Sequence, residues 1–166
     1  MQDDFFSLFS FNRWADRRVL DACRKLTAEQ YAAEPVPGWS SVRSTIAHIA
    51  IVTDGWLRGI ARDPDQSMLT ESELPTVDDA ARLLDRAYQR FEEMSQTFTP
   101  ESLNAPQTLT RRSWTAILPP WAVLRHIVNH STYHRGQVAS KLKRFGVEQP
   151  ATDFVKWIIE QVPQTA

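Results

Sequence analysis

Apolar residues recur at alternating intervals of three and four along most of the chain, which is the period of an α-helix with one buried face. The first such stripe covers residues 4–26. The stretch 27–40 contains two prolines and a glycine and cannot continue that helix. A second stripe begins after Ser40 or Ser41, either of which can cap a helix, and reaches Ala61. The pattern therefore predicts two long helices joined by a non-helical connection.

A third stripe begins after Thr76, a capping residue, and ends near Thr97. The connection that follows, residues 98–119, is longer than compact domains usually leave without structure or a purpose. Within it, residues 108–110 and 114–118 are rich in side chains that favour strands, which predicts a small hairpin. This connection is therefore a candidate lid or substrate-binding wall.

The fourth stripe is the clearest, because its two ends are marked. Pro120 suits a first helical turn and Gly146 suits a stop. The last turn carries positive charge that complements the helix dipole, from Lys141, Lys143 and Arg144. Residues 153–161 predict a short final helix. Helices with one apolar face each pack most simply as an all-α four-helix bundle, here with long crossover connections and a short C-terminal helix, and residues 1–166 are expected to form a single domain.

Composition narrows the classes of function. The chain has 166 residues, with 19 Lys and Arg against 20 Asp and Glu, which lacks the positive excess of a general nucleic-acid binder. Its most apolar stretch, residues 46–57, is interrupted by His48 and Asp54 and is far shorter than the ~20 residues that span a bilayer. The single cysteine, Cys23, excludes an internal disulfide, and the acidic start differs from a signal peptide. We therefore expect a cytoplasmic protein with no nucleic-acid or membrane partner.

Three of the four histidines lie close together on the fourth predicted helix, at His126, His130 and His134. Residues four apart lie one turn apart on one face, about 6 Å along the axis, where two imidazoles can converge on one ion. Residues eight apart are separated by about 12 Å, which is too far when bonds from zinc to nitrogen are about 2.0–2.1 Å long. One metal ion can therefore take only a neighbouring pair.

The position around the helix favours one of these pairs. With about 100° per residue, His134 lies about 50° from the direction of the apolar face, His130 about 90° and His126 about 130°. The pair His130 and His134 is thus directed inward, and His126 is expected to be partly exposed and structural. The remaining histidine, His48 on the second predicted helix, is one that a bundle can bring across to this pair.

Two further groups of residues have both a binding and a structural interpretation. Gly55 and Gly59 lie on the same strip of the second predicted helix as its histidine, and their small size leaves either room for a ligand or close contact between helices. Arg111, Arg112 and Trp114 in the long connection are candidate contacts to an anionic substrate, although an exposed turn with two arginines is commoner. A pair of histidines on a helix is likewise more often structural than metal-binding when spacing is the only argument.

Several motifs together resemble a known family. The string His-Ile-Val-Asn-His-Ser-Thr-Tyr-His-Arg-Gly-Gln-Val occupies residues 126–138, and Phe-Asn-Arg-Trp-Ala-Asp occupies residues 11–16. His48 lies within Ser-Thr-Ile-Ala-His-Ile, and residues 150–153 resemble the usual ending of the family. This arrangement, which covers nearly the whole chain, resembles the DinB-like (YfiT-like) family of proposed metalloenzymes.

The resemblance implies a four-helix bundle, often a homodimer, in which His48, His130 and His134 hold one divalent transition metal. Three imidazoles leave a coordination position open for water or substrate, as in catalytic zinc sites. Such ligands suit zinc, nickel, copper or iron, which the sequence does not rank, and we expect zinc or nickel. Relatives act on low-molecular-weight thiols or are regarded as hydrolases, which implies a metal-dependent small-thiol transferase or hydrolase with a small-molecule substrate. The alternative is a non-enzymatic, dimeric metal-binding or stress-response interaction protein whose histidines stabilise the structure or sense metal.

Overall fold

A computed structural model describes residues 2–38, 40–65, 67–111 and 114–162. In chain order the elements are α1 (Gln2–Cys23), α2 (Ala28–Ala32), α3 (Val42–Ile60), a 3-10 turn (Glu71–Glu73), α4 (Val77–Ser95), α5 (Pro100–Asn104), β1 (Gln107–Arg111), β2 (Trp114–Leu118), α6 (Pro120–Arg144) and α7 (Phe154–Gln161). The predicted four-helix bundle with long connections and a short C-terminal helix is therefore confirmed. Its four long helices are α1, α3, α4 and α6.

The long helices pack around one apolar core. Helix α1 contacts α4 and α6, and α3 contacts the same two helices, so that α1 and α3 occupy opposite corners of the bundle. Two consecutive pairs of long helices, α1 with α3 and α4 with α6, are therefore diagonal partners, which explains why their connections are long. In the core, Phe9 of α1 and Phe91 of α4 stack with ring centroids 3.8 Å apart.

Helices α3 and α6 run antiparallel along a shared seam. At one end, the carbonyl of Ser41 before α3 accepts a hydrogen bond from Lys141 near the end of α6. At the other end, Trp56 near the end of α3 packs edge-on against His126 in the first half of α6. This register brings the middle of both helices, where the other histidines lie, side by side.

The ends of the helices follow the capping signals in the sequence. The side chain of Ser41, one of the two predicted caps of α3, accepts a hydrogen bond from the N–H of Ser44 at 2.9 Å. Thr76 and Asp79 form a reciprocal capping box at the start of α4, as the position of Thr76 predicts. Each cap satisfies N–H groups that have no partner within the helix.

Some boundaries differ from the sequence-based prediction. Helix α1 ends at Cys23 and not at residue 26, and α4 ends at Ser95 and not at residue 97. The stretch 27–40 was expected to be non-helical, but it contains α2, because Thr27 and Gln30 form a capping box that begins a single short helix there. Helix α5 begins in the same way after Thr99, within the long connection.

The predicted hairpin is confirmed. Strands β1 and β2 are antiparallel, with Gln107 opposite Leu118 and Arg111 opposite Trp114. Leu109 of β1 is buried in the core cluster and ties the hairpin to the bundle. None of the helices in the described ranges is both long and apolar enough to cross a membrane.

Candidate metal centre

Three histidines from two helices meet in the seam between α3 and α6. Nε2 of His48 lies 3.0 Å from Nε2 of His130. The ring centroid of His134 lies 4.6 Å from that of His48 and 4.4 Å from that of His130. One ring nitrogen from each histidine lies within 4.8 Å of the other two. His48 is exposed while His130 and His134 are half-buried, so the cluster is accessible from solvent.

The donor set fits a divalent transition metal. Two ligand nitrogens of a tetrahedral zinc ion, with bonds of about 2.0–2.1 Å, are about 3.3 Å apart. The separation of 3.0 Å between His48 and His130 is close to that value. Nδ1 of His130 is buried and has no hydrogen-bond partner in the described part of the chain. Because Nε2 of His130 faces His48, this Nδ1 is the outer nitrogen of the ring and not the one that would hold the ion.

Burial and neighbouring imidazoles lower the pKa of His130 and of His48. Burial, together with His134, His48 and His126, lowers the pKa of His130 to about 3. Burial and the neighbouring His134 lower the pKa of His48 below its ordinary value of 6.5. Because a metal binds the neutral imidazole, His130 and His48 are in their binding form at neutral pH.

A neighbouring amide orients one of the rings. Nδ1 of His134 lies 2.8 Å from Oε1 of Gln137, almost one turn further along α6. An amide oxygen only accepts hydrogen bonds, so the proton of His134 lies on Nδ1 and the lone pair of Nε2 is left for an ion. Gln137 therefore fixes both the tautomer and the ring position of His134.

His126 lies outside the three-histidine group. Its side chain is exposed and packs edge-on against Trp56, with ring centroids 5.3 Å apart. Its ring is 5.6 Å from that of His130. The position of His126 on the helix therefore correctly predicts an exposed residue outside the inward-facing pair.

The structure also decides between the two interpretations of Gly55. A Cβ atom on this residue would lie 3.1 Å from the terminal methyl carbon of Met68. The space beside Gly55 is thus filled by a side chain and is not open room for a ligand. The missing side chain permits close packing of the connection that follows α3.

The candidate substrate contacts in the hairpin stay predictions. Arg111 and Trp114 are paired at the ends of β1 and β2, but their side chains lie outside the described residues. Arg112 lies wholly outside the described residues. The role of residues 98–119 as a lid likewise stays a prediction.

The burial of Lys141 does not follow from its position in the sequence. The sequence predicts a cation that complements the helix dipole in the last turn, and the structure shows that this residue is only 4% exposed. Its ammonium donates hydrogen bonds to Oγ of Ser40 at 2.8 Å, to the carbonyl of Ser41 at 3.3 Å and to Oγ1 of Thr45. Lys141 follows His134 by seven residues, or two turns, and this register is the signal that could have placed it in the same seam.

On another face of α6, Arg135 belongs to a buried polar network. Its Nη1 donates to Oδ1 of Asn12 at 2.6 Å and to Oδ1 of Asp16 at 2.7 Å. The hydroxyl of Tyr88 donates to Asp16 at 2.5 Å and accepts from the amide nitrogen of Asn12 at 2.8 Å. The network joins α1, α4 and α6 directly beside His134 and so fixes the helix that carries two of the three histidines.

Fold and site together define a class: a four-helix bundle with a three-histidine group in one seam. The sequence profile of the DinB family matches residues 1–163, and the chain belongs to the DinB family. Protein DinB of Bacillus subtilis (strain 168) is 25% identical over 161 residues, which cover 93% of each protein.

Solved structures agree with this assignment at the level of the fold. A DinB-like protein from Bacillus cereus ATCC 10987 has a TM-score of 0.72 at 19% identity, over 90% of this chain and 95% of that chain. TT2238, described as a four-helix bundle protein, has a TM-score of 0.56 at 22% identity, over 88% of this chain and 98% of that chain.

Proposed function

We propose that the protein is a metal-dependent enzyme that holds one divalent transition metal, zinc or nickel, with His48, His130 and His134. Its reaction is then the transfer of a small thiol or the hydrolysis of a small molecule. The observation that supports this proposal is a group of three imidazoles, one ring nitrogen of each within 4.8 Å of the others, at a place accessible from solvent. Three imidazoles with a free coordination position are typical of catalytic and not of structural zinc sites.

A bound ion at this place supplies Lewis-acid chemistry, because it favours the deprotonated form of a water or thiol ligand. The protein's own residues provide access and order. The exposed position of His48 lets a small molecule reach the cluster. Gln137 keeps the proton of His134 on Nδ1, and the network around Arg135 prevents α6 from rotating.

Metal content tests the site directly. We expect plasma mass spectrometry to find about one transition metal per chain in untagged protein, and a large loss in each of His48→Ala, His130→Ala and His134→Ala. His126→Ala is the matched control, because it removes an imidazole from the same helix that does not belong to the three-histidine group. This variant should retain the metal. A wild-type protein that binds neither zinc nor nickel, or a loss of metal in His126→Ala equal to that in the other variants, contradicts the proposal.

Turnover separates an enzyme from a metal-binding interaction protein. The metal-loaded protein is assayed with small thiols plus electrophiles and with esters and amides, before and after chelation. Activity that disappears on chelation and returns with zinc or nickel supports the proposal. No turnover, together with a large loss of stability on chelation, supports the non-enzymatic alternative, because binding free energy then adds to folding free energy.

A further inference from the structure

The seam between α3 and α6 contains a cavity next to the three-histidine group. Its volume is about 350 Å³, within the range of small-molecule sites, and the described residues that line it are Ser40, Gln137, Ser140 and Lys141. Gln137 lines the cavity and also contacts the three-histidine group, because its Oε1 lies 2.8 Å from Nδ1 of His134. The cavity and the histidines therefore share a wall.

Lys141 gives this cavity an unbalanced positive charge. Its side chain is 4% exposed, and its three hydrogen bonds go to neutral oxygens of Ser40, Ser41 and Thr45. In the described ranges no carboxylate forms an ion pair with it. A buried ammonium without a counter-charge is unfavourable. Burial accordingly lowers the pKa of Lys141.

The groups around Lys141 also favour an anion. Ser41 caps α3, so the positive end of that helix dipole lies beside the ammonium. Oγ of Ser40 accepts from Lys141, and only a 3.3 Å contact with Thr45 competes for its own proton, which can be donated to a ligand. The amide nitrogen of Gln137 is a further donor. The described lining therefore offers donors and one positive charge, and no acidic side chain.

We propose that this cavity binds a carboxylate of the small molecule that reacts at the three-histidine site. Lys141 supplies the charge, and Ser40 and Gln137 supply hydrogen bonds. One ammonium and two neutral donors match the two oxygens of one carboxylate group better than the larger set of oxygens on a phosphate. The inference rests on the proposed function for what happens at the histidines, whereas the anion site depends only on the cavity.

The position of the two sites limits the size of the substrate. His134 and Lys141 are seven residues apart on α6, which is about 10 Å along the helix axis. The reacting group and the carboxylate of the substrate are therefore separated by roughly 10 Å. This distance corresponds to a small bifunctional molecule and not to a polymer.

Titration of the metal-free protein with succinate, followed by two-dimensional ¹H–¹⁵N NMR, tests the anion site. We expect saturable shifts of the amides of residues 40–45 and 137–141. Lys141→Met, which keeps an unbranched chain and removes the charge, should raise the dissociation constant at least about tenfold. Lys143→Met is the matched control, because Lys143 is exposed in the same turn, and it should leave the dissociation constant unchanged.

A second variant keeps the test decisive if Lys141→Met fails to fold. Ser40→Asp places a carboxylate next to the Lys141 ammonium, where Oγ of Ser40 now lies at 2.8 Å. We expect Ser40→Asp to abolish succinate binding and to raise the midpoint of thermal unfolding. Succinate binding that is equal in the Lys141→Met and Lys143→Met variants, or that persists in Ser40→Asp, overturns the assignment. Tighter binding of inorganic phosphate than of succinate overturns the choice of a carboxylate.

Failure of the anion site and failure of the proposed function are distinguishable. Metal content is measured on the same samples as succinate binding. A protein that binds zinc at the histidines but gives no saturable succinate shift overturns the anion site alone. A protein that binds succinate through Lys141 but takes up neither zinc nor nickel overturns the proposed function and leaves an anion site without a metal partner.

Discussion

His134 and Arg135 are neighbours in the sequence, yet they belong to two regions with opposite polar chemistry. The terminal nitrogens of Arg135 are paired with Asn12, Asp16 and Thr132 in a buried network. The region around His134 has three imidazoles, one ring nitrogen of each within 4.8 Å of the others, and no counter-charge within the group. A buried ion pair held by hydrogen bonds stabilises the fold, whereas three converging imidazoles without a counter-charge are the arrangement of a metal site.

The comparison predicts that the largest loss of stability follows a substitution in the Arg135 network. Arg135→Met leaves the buried carboxylate of Asp16 without its cation, which should lower the free energy of unfolding by about 3–5 kcal/mol. Equilibrium denaturation with urea measures this loss. Lys143→Met removes an exposed charge from the same helix and should change stability by less than about 0.5 kcal/mol. Similar losses in the two variants contradict a structural role for the network.

A smaller loss is expected when one hydroxyl is removed from the same network. Tyr88→Phe deletes the group that donates to Asp16 and accepts from Asn12, so we expect a loss of about 1–3 kcal/mol. Tyr133→Phe is the control, because Tyr133 is 66% exposed and lies on the histidine side of α6. Urea denaturation measures the free energy of unfolding of both variants, and that of Tyr133→Phe should equal the wild-type value within experimental error.

A substitution beside the three-histidine group should change metal affinity and not the free energy of unfolding. Gln137→Leu removes the acceptor that holds Nδ1 of His134, which should weaken zinc binding about 10–100-fold. Gln137→Glu keeps an acceptor and should restore most of the affinity. Competition with a chromophoric chelator measures both constants. Equal weakening in the two variants shows that Gln137 does not act through His134.

The smallest effect is a pH dependence of the metal-free protein. The pKa of His130 is lowered from 6.5 to about 3, so the unfolded chain takes up a proton in this window while the folded protein does not. The contribution of neutral His130 to the free energy of unfolding is fully present above pH 6.5 and is lost as the pH falls towards 3. The ring is only half-buried, so the free energy of unfolding should fall by at most about 1 kcal/mol between pH 7 and 5.

His130→Gln should flatten this dependence, because it removes the titrating group from the cluster. His126→Gln is the control for the loss of an imidazole that lies outside the group. Urea denaturation at a series of pH values compares the three proteins. If the free energy of unfolding of His130→Gln depends on pH as it does in the wild type, then burial and the neighbouring histidines do not disfavour protonation of His130.

The sequence predicts those features that depend on one helix at a time. The repeat of three and four residues predicts all four long helices, and the wheel position distinguishes His130 and His134 from His126. Asn12 lies on the apolar stripe of the first helix and is buried, where it contacts Tyr88 and Arg135. In each case the deciding signal lies within a single turn or a few turns of helix.

Features that depend on two helices are harder to predict. The burial of Lys141 follows from the antiparallel seam, which places the start of α3 against the last turns of α6. From α6 alone, a lysine in the last turns is an ordinary partner of the helix dipole. His48 similarly needed the resemblance to the family, because nothing on its own helix indicates which partner it meets.

The single uninterrupted helix α6 has a consequence for changes of length in the gene. One residue inserted between His130 and His134 turns all later residues by about 100° and moves them by 1.5 Å. The histidine pair, the Arg135 network and the Lys141 contacts then lose their partners together. An insertion between β1 and β2 alters none of these contacts. Insertions and deletions are therefore compatible with the hairpin and incompatible with the centre of α6.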